Sequence, residues 1–140
     1  MNKNCNPFSG IFDSDLTNII VPKYDIAVIS KLISTHNANV AIEFIGRQGR
    51  GKTTHLKYYE RQLGMPIFEL SEEHASLEDI LASSAELVLV DSIHHLNFRE
   101  RVQLFTVKKT VIYTTPITRY LSVKLAKKPL KQLKFKKQLI

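Results

Sequence analysis

The stretch Val40-Ala-Ile-Glu-Phe-Ile-Gly-Arg-Gln-Gly-Arg-Gly-Lys-Thr-Thr54 decides how the rest of the chain is read. From Val40 to Ile45 it is apolar on both faces apart from Glu43, the pattern of a central parallel strand covered by helices on each side. From Gly46 onward it matches G-x-x-x-x-G-K-[ST] in full, through Gly46, Gly51, Lys52 and Thr53. The motif also stands where a P-loop must stand, between a strand and a helix.

The spacing follows from the chemistry of phosphate binding. Glycines at 46, 49 and 51 permit positive φ and close approach, so that successive backbone N–H groups curl around a β-phosphate. A helix opening at Lys52 aims its unpaired N–H groups and positive dipole end at the same phosphates. On this reading Gly46, Arg47, Gln48, Gly49, Arg50, Gly51, Lys52, Thr53 and Thr54 form a nucleotide-binding loop. Lys52 is expected to reach the β- and γ-phosphates, and the Thr53 hydroxyl to ligate Mg²⁺, a hard cation that prefers oxygen donors. Arg47 and Arg50 fill variable positions and are expected in solvent.

Working outward, strands and helices alternate. A helix is predicted from Pro22, with Ile26, Val28, Ile29, Leu32 and Ile33 on its apolar face. After the loop, Leu56, Tyr59 and Leu63 mark one face of a helix that stops at Gly64. Residues 65–70 read as a short strand. Ser76 with Asp79 caps a helix whose Leu77, Ile80 and Leu81 face inward. Leu87-Val-Leu-Val-Asp91 is an apolar strand ending in an acid, and Asn97 with Glu100 caps a helix with Phe98, Val102 and Phe105 on its apolar face. Thr110 to Thr115 is a further strand, halted by Pro116. A helix is predicted over about 119–128 with Leu121 and Leu125 inward, then a strand in which Leu133 and Phe135 alternate with lysines. Strands separated by helices make an α/β sheet layered on both faces.

A chain of 140 residues is one domain by length. We divide it into an N-terminal arm, 1–21, which shows no sustained period, and a nucleotide-binding domain, 22–140. No apolar run approaches a membrane span, the first residues lack the apolar core of a signal peptide, and Cys5 is the sole cysteine, so a cytoplasmic protein is expected. The net charge of +7 lies entirely in residues 121–140, where Lys124, Lys127, Lys128, Lys131, Lys134, Lys136 and Lys137 meet no acid. Such a block reads either as a nucleic-acid footprint or as a solvated helix followed by a lysine-blunted edge strand.

Gly46–Leu56, Leu87–Leu96 and Val111–Thr115 together resemble the AAA-type branch of P-loop ATPases, in particular the small ATP-binding domains that include transposition-associated ATPases. The resemblance implies a three-layer P-loop NTPase fold with a mostly parallel sheet ordered 5-1-4-3-2. It makes Leu87–Asp91 the Walker B strand, with Asp91 holding Mg²⁺ opposite Thr53. It makes Thr115, or its neighbour Thr114, the polar sensor near the γ-phosphate. Lys52, Asp91 and Thr115 are then the expected catalytic residues, with ATP and Mg²⁺ as ligands. A protein partner or self-association is expected as well, because the 140 residues leave no room for the helical lid such domains carry.

One departure bears on chemistry. The family usually has a glutamate after the Walker B aspartate to orient the attacking water, and here that position is Ser92. Glu69, Glu43, His94 and His95 are the residues the sequence offers in its place, and Arg119 is the best-placed arginine finger by order along the chain. The expected function is a Mg-ATP-binding ATPase domain whose slow or partner-stimulated hydrolysis controls association with protein or DNA. The alternatives are a nucleotide-gated binding module without turnover, using the basic tail, and a small-molecule kinase. The absence of an Asn-Lys-x-Asp stretch favours ATP over GTP.

Overall fold

The computed structural model describes residues 26–47 and 51–135. The expected arm, the helix start at Pro22, the loop residues Gln48, Gly49 and Arg50, and Lys136 and Lys137 lie outside the described residues.

The elements in chain order are α1 (Ile26–Thr35), β1 (Ala41–Ile45), α2 (Lys52–Leu63), β2 (Ile67–Glu69), α3 (Leu77–Ala82) and β3 (Leu87–Asp91). They continue with a 3₁₀ turn (Ile93–His95), α4 (Phe98–Thr106), β4 (Thr110–Thr115), α5 (Tyr120–Leu125) and β5 (Leu130–Lys134). The sheet order is β2-β3-β4-β1-β5, the expected order read from the other edge. Every described pairing is parallel.

Strand periodicity sorts the core into two layers. Ile42, Phe44, Leu87, Leu89 and Ile112 pack with Ile29 of α1 and with Leu56 and Tyr59 of α2. On the other face Ala41, Val88, Val90, Val111 and Tyr113 pack with Ile80 of α3, Leu104 and Phe105 of α4 and Val123 of α5. Because successive side chains alternate across a strand, Asp91 follows Leu87 and Leu89 onto the α2 face. Thr114 follows Ile112 to that face, and Thr115 follows Tyr113 to the other.

Helix boundaries follow local chemistry. Ser76 Oγ accepts from the Asp79 backbone N–H at 3.4 Å. Asn97 and Glu100 form the reciprocal capping box at 2.8 and 2.9 Å. α2 ends at Gly64, whose φ of 66° is the left-handed cap that glycine adopts without strain.

Several apolar faces differ from expectation. Val28, Leu81 and Phe98 are exposed. In α4 the inward stripe is Arg101, Leu104 and Phe105, at i, i+3 and i+4. Arg101 is buried because its guanidinium donates to Leu96 O at 2.5 Å, so a cation occupies a position that periodicity alone assigns to an apolar residue. α5 is shorter than predicted, and Leu121 and Leu125 are 55% and 61% exposed while Ser122 and Val123 face in. Polar anchors at each end set this orientation. The Arg119 backbone N–H donates to Glu43 at 2.7 Å, and Lys128 Nζ donates to Asn39 Oδ1 at 2.6 Å and to Val107 O at 2.8 Å.

Candidate functional site

The carboxyl ends of β1, β3 and β4 lie side by side in the sheet, so Gly46, Asp91 and Thr115 share one edge. In an open parallel sheet that edge is where ligands bind. Gly46 is required there by space. A Cβ on it would stand 2.4 Å from Phe135 O, because the backbone leaving β5 runs close alongside the end of β1. Phe135 N–H in turn donates to Ile45 O at 2.8 Å. Gly51 is required by conformation, with φ of 87° as the chain turns into α2.

α2 begins at Lys52, and its first turn faces the ends of β3 and β4. Lys52 is buried, and its Nζ donates to Gly46 O and, at 3.4 Å, to Thr115 O. Burial lowers the Lys52 pKa and the neighbouring Asp91 carboxylate raises it in part. Thr53 Oγ1 lies 3.1 Å from each oxygen of Asp91. His55 braces the same turn from below, with Nδ1 2.8 Å from Gly51 O and its ring edge-on to Phe44 and Phe135. Burial lowers the His55 pKa, and the contact with Gly51 O works against that. The sequence reading passed over His55, although its place one helical turn after Gly51 was a usable signal.

The two threonines ending β4 are divided by strand parity. Thr114 Oγ1 donates to Asp91 Oδ1 at 2.6 Å and accepts from the Ser92 backbone N–H at 2.7 Å. Thr115 Oγ1, on the other face, donates to Ile117 O at 2.6 Å and accepts from Arg119 Nε at 3.2 Å. Thr114 is therefore the residue that touches the Asp91 carboxylate, and Thr115 the one that touches Arg119.

These groups wall a cavity of about 430 Å³, lined by Gly51 to Thr54, Asp91, Ser92, His94, His95, Thr114, Thr115 and Pro116. Its volume lies within the usual range for small-molecule sites. Oxygen donors at Thr53 and Asp91 beside a buried ammonium suit a hard divalent cation and an anionic ligand. Among the described residues no group of three or more His, Cys, Asp or Glu could hold a metal ion.

Of the residues offered in place of the absent glutamate, two are removed from the cavity. Glu43 is 0% exposed and accepts from Tyr113 Oη at 2.8 Å, from the Arg119 N–H and from Gln132 Nε2 at 2.8 Å. Glu69 is in register with Asp91 but forms an ion pair with Lys57 at 3.8 Å and does not line the cavity. His94 and His95 do line it. Arg119 reaches the site from within its own chain, through Thr115. Arg47 is exposed, as expected.

The lysine block divides in the same way. Lys124, Lys127, Lys131 and Lys134 are exposed, whereas Lys128 is 7% exposed and ties the segment after α5 to the loop before β1 and to the end of α4. Its expected place in a nucleic-acid footprint is corrected by that burial.

No protein-family profile and no curated protein matches the chain. Solved structures that match include the RuvB Holliday junction branch migration motor of Thermotoga maritima, at TM-score 0.45 and 18% identity, covering 78% of this chain and 45% of that one. A point mutant of RuvB matches at TM-score 0.46 and 19% identity, covering 78% and 46%. The chain thus spans less than half the length of these structures. At these scores the likeness does not extend to the narrower group of transposition-associated ATPases. The fold assignment rests on the sheet order and register described above. No described helix is long and apolar enough to cross a membrane.

Proposed function

We propose that the chain is a Mg-ATP-binding domain of the AAA type, whose nucleotide state governs association with protein or nucleic acid and whose hydrolysis is slow or partner-stimulated. The observation that carries this reading is the contact between Thr53 Oγ1 and the Asp91 carboxylate, made beside Lys52 at the start of α2. A helix N-terminus, an ammonium and a paired hydroxyl and carboxylate on one cavity wall are what a triphosphate and its metal require. Thr53 and Asp91 would hold Mg²⁺, which neutralises charge on the phosphates. Lys52 would leave the carbonyls of Gly46 and Thr115 for the β- and γ-phosphates, and Thr114 would fix the Asp91 carboxylate. Thr115 with Arg119 would form a second polar contact at the γ-phosphate end.

Isothermal titration of Mg-ATP tests the reading, with binding expected for the wild type and lost in Lys52→Ala. Equal affinity in the two proteins refutes it. Ser92 after Asp91 specifically favours a second reading, a nucleotide-gated binding module without turnover. Phosphate release measured alone and with added DNA separates the two. The exposed Lys124, Lys127, Lys131 and Lys134 support nucleic acid as the partner, and binding through them should weaken steeply with salt. A cytoplasmic location fits both readings.

A further inference from the structure

We propose that His94 takes over the task of the carboxylate missing after Asp91, its imidazole accepting a hydrogen bond from the water that attacks the terminal phosphate of bound ATP. The proposal rests on the Mg-ATP reading above and adds a residue to it.

The backbone presents this side chain deliberately. Ser92 has φ of 66° and ψ of 54°, a left-handed conformation that strains a residue with a Cβ. The strain is held by the Ser92 N–H bond to Thr114 Oγ1 at one end of the turn and by the Arg101 bond to Leu96 O at the other. Between these anchors Ile93 is fully buried, and the 3₁₀ turn puts the following histidine on the cavity wall. His94 there shares the cavity with Lys52, Asp91 and His95 and lies within electrostatic reach of Arg119. Partial burial lowers its pKa first, and His95, Arg119 and Lys52 lower it further, against the opposing pull of Asp91. A neutral imidazole at this position offers a nitrogen lone pair to water.

The rival acids lack that placement. Glu43 has its oxygens committed to Tyr113, Arg119 and Gln132, and Glu69 is paired with Lys57 away from the cavity. In the proposed step the water oxygen bonds to the γ-phosphorus as the bond from phosphorus to the β,γ-bridging oxygen breaks. ADP leaves with the electron pair, and the proton lost by water passes through His94 to solvent or to the released phosphate.

The test uses wild type, His94→Ala and Glu69→Gln. His94 is exposed, and its replacement leaves the buried Ile93 in place. Three quantities are measured: Mg-ATP affinity by calorimetry, the phosphate-release rate, and the gain in ADP affinity on adding aluminium fluoride, which mimics the transferring phosphoryl group. The expected result is Mg-ATP affinity within twofold in all three proteins. Turnover should fall about 100-fold in His94→Ala, in line with loss of a water-orienting group, and stay within twofold in Glu69→Gln. The aluminium fluoride gain should disappear only in His94→Ala. Unchanged turnover in His94→Ala, loss of turnover in Glu69→Gln instead, or a wild type that binds Mg-ATP without turnover and without an aluminium fluoride gain would each overturn the proposal. Failure of the wild type to bind Mg-ATP at all would instead overturn the reading beneath it.

Discussion

Replacing Glu43 should separate the polar framework of the site from the hydrophobic core beneath it. The carboxylate is wholly buried in the central strand and accepts three hydrogen bonds, from Tyr113, the Arg119 backbone and Gln132. Burial and then the Glu43 charge push the Tyr113 phenol well above its ordinary range, so it stays a donor at any working pH. Glu43→Leu leaves the Tyr113 O–H and the Arg119 N–H without an acceptor, at about 1–3 kcal/mol each. Gln132 is exposed and can turn to water. Relief of the buried charge offsets part of that loss, for a net cost of about 2–4 kcal/mol. Glu43→Gln retains an oxygen for Tyr113 and Arg119 and loses mainly charge assistance, at about 1–2 kcal/mol. Urea unfolding at pH 7 measures both, and with an m-value of about 2 kcal/mol/M the Leu variant should shift the midpoint down by about 1–2 M at unchanged slope. A Leu variant within 1 kcal/mol of wild type, or a Gln variant as costly as Leu, would refute the reasoning.

Two further outcomes follow from single contacts. Gly46→Ala should destabilise the fold by about 1–3 kcal/mol in the same unfolding assay, because its Cβ meets the Phe135 carbonyl at 2.4 Å and backbone must shift; an unchanged midpoint contradicts this. Lys128 has its pKa lowered to about 8, first by burial and then by Lys109. The folded state therefore binds this proton less tightly than the unfolded chain does, so the stability from this group is lowest below pH 8 and rises between about pH 8 and 10.5, by at most about 3 kcal/mol. Lys128→Met should lose that rise, and parallel stability curves for the two proteins over that range would contradict it.

Much of the frame was legible in the sequence because its signals are local. The motif Gly46 to Thr53 places β1 and α2 by itself, Gly64 ends α2, and the pair Asn97 and Glu100 fixes the start of α4. β4 spans Thr110 to Thr115 as read, since Pro116 forbids continuation. The resemblance supplied the strand order, but the register that brings distant side chains together was not legible. The Glu43 network joins positions 43, 113, 119 and 132, which only the sheet register brings together. The same register decides that Thr114, and not Thr115, meets Asp91. α5 misled because its leucines repeat at helical spacing while its orientation is set by Arg119 and Lys128 at its ends. Nothing local marks Lys128 as buried among seven similar lysines.

On the proposed reading Thr53, Asp91 and Lys52 form one site for a metal-bound triphosphate. Calorimetric titration of ATP into wild type and Asp91→Asn, each with Mg²⁺ and again with EDTA, tests it most directly. Mg²⁺ should strengthen ATP binding to wild type at least tenfold, and Asp91→Asn should lose this gain while keeping its metal-free affinity through the loop and Lys52. Wild-type binding that is indifferent to Mg²⁺, or a Mg²⁺ gain that survives in Asp91→Asn, would contradict it.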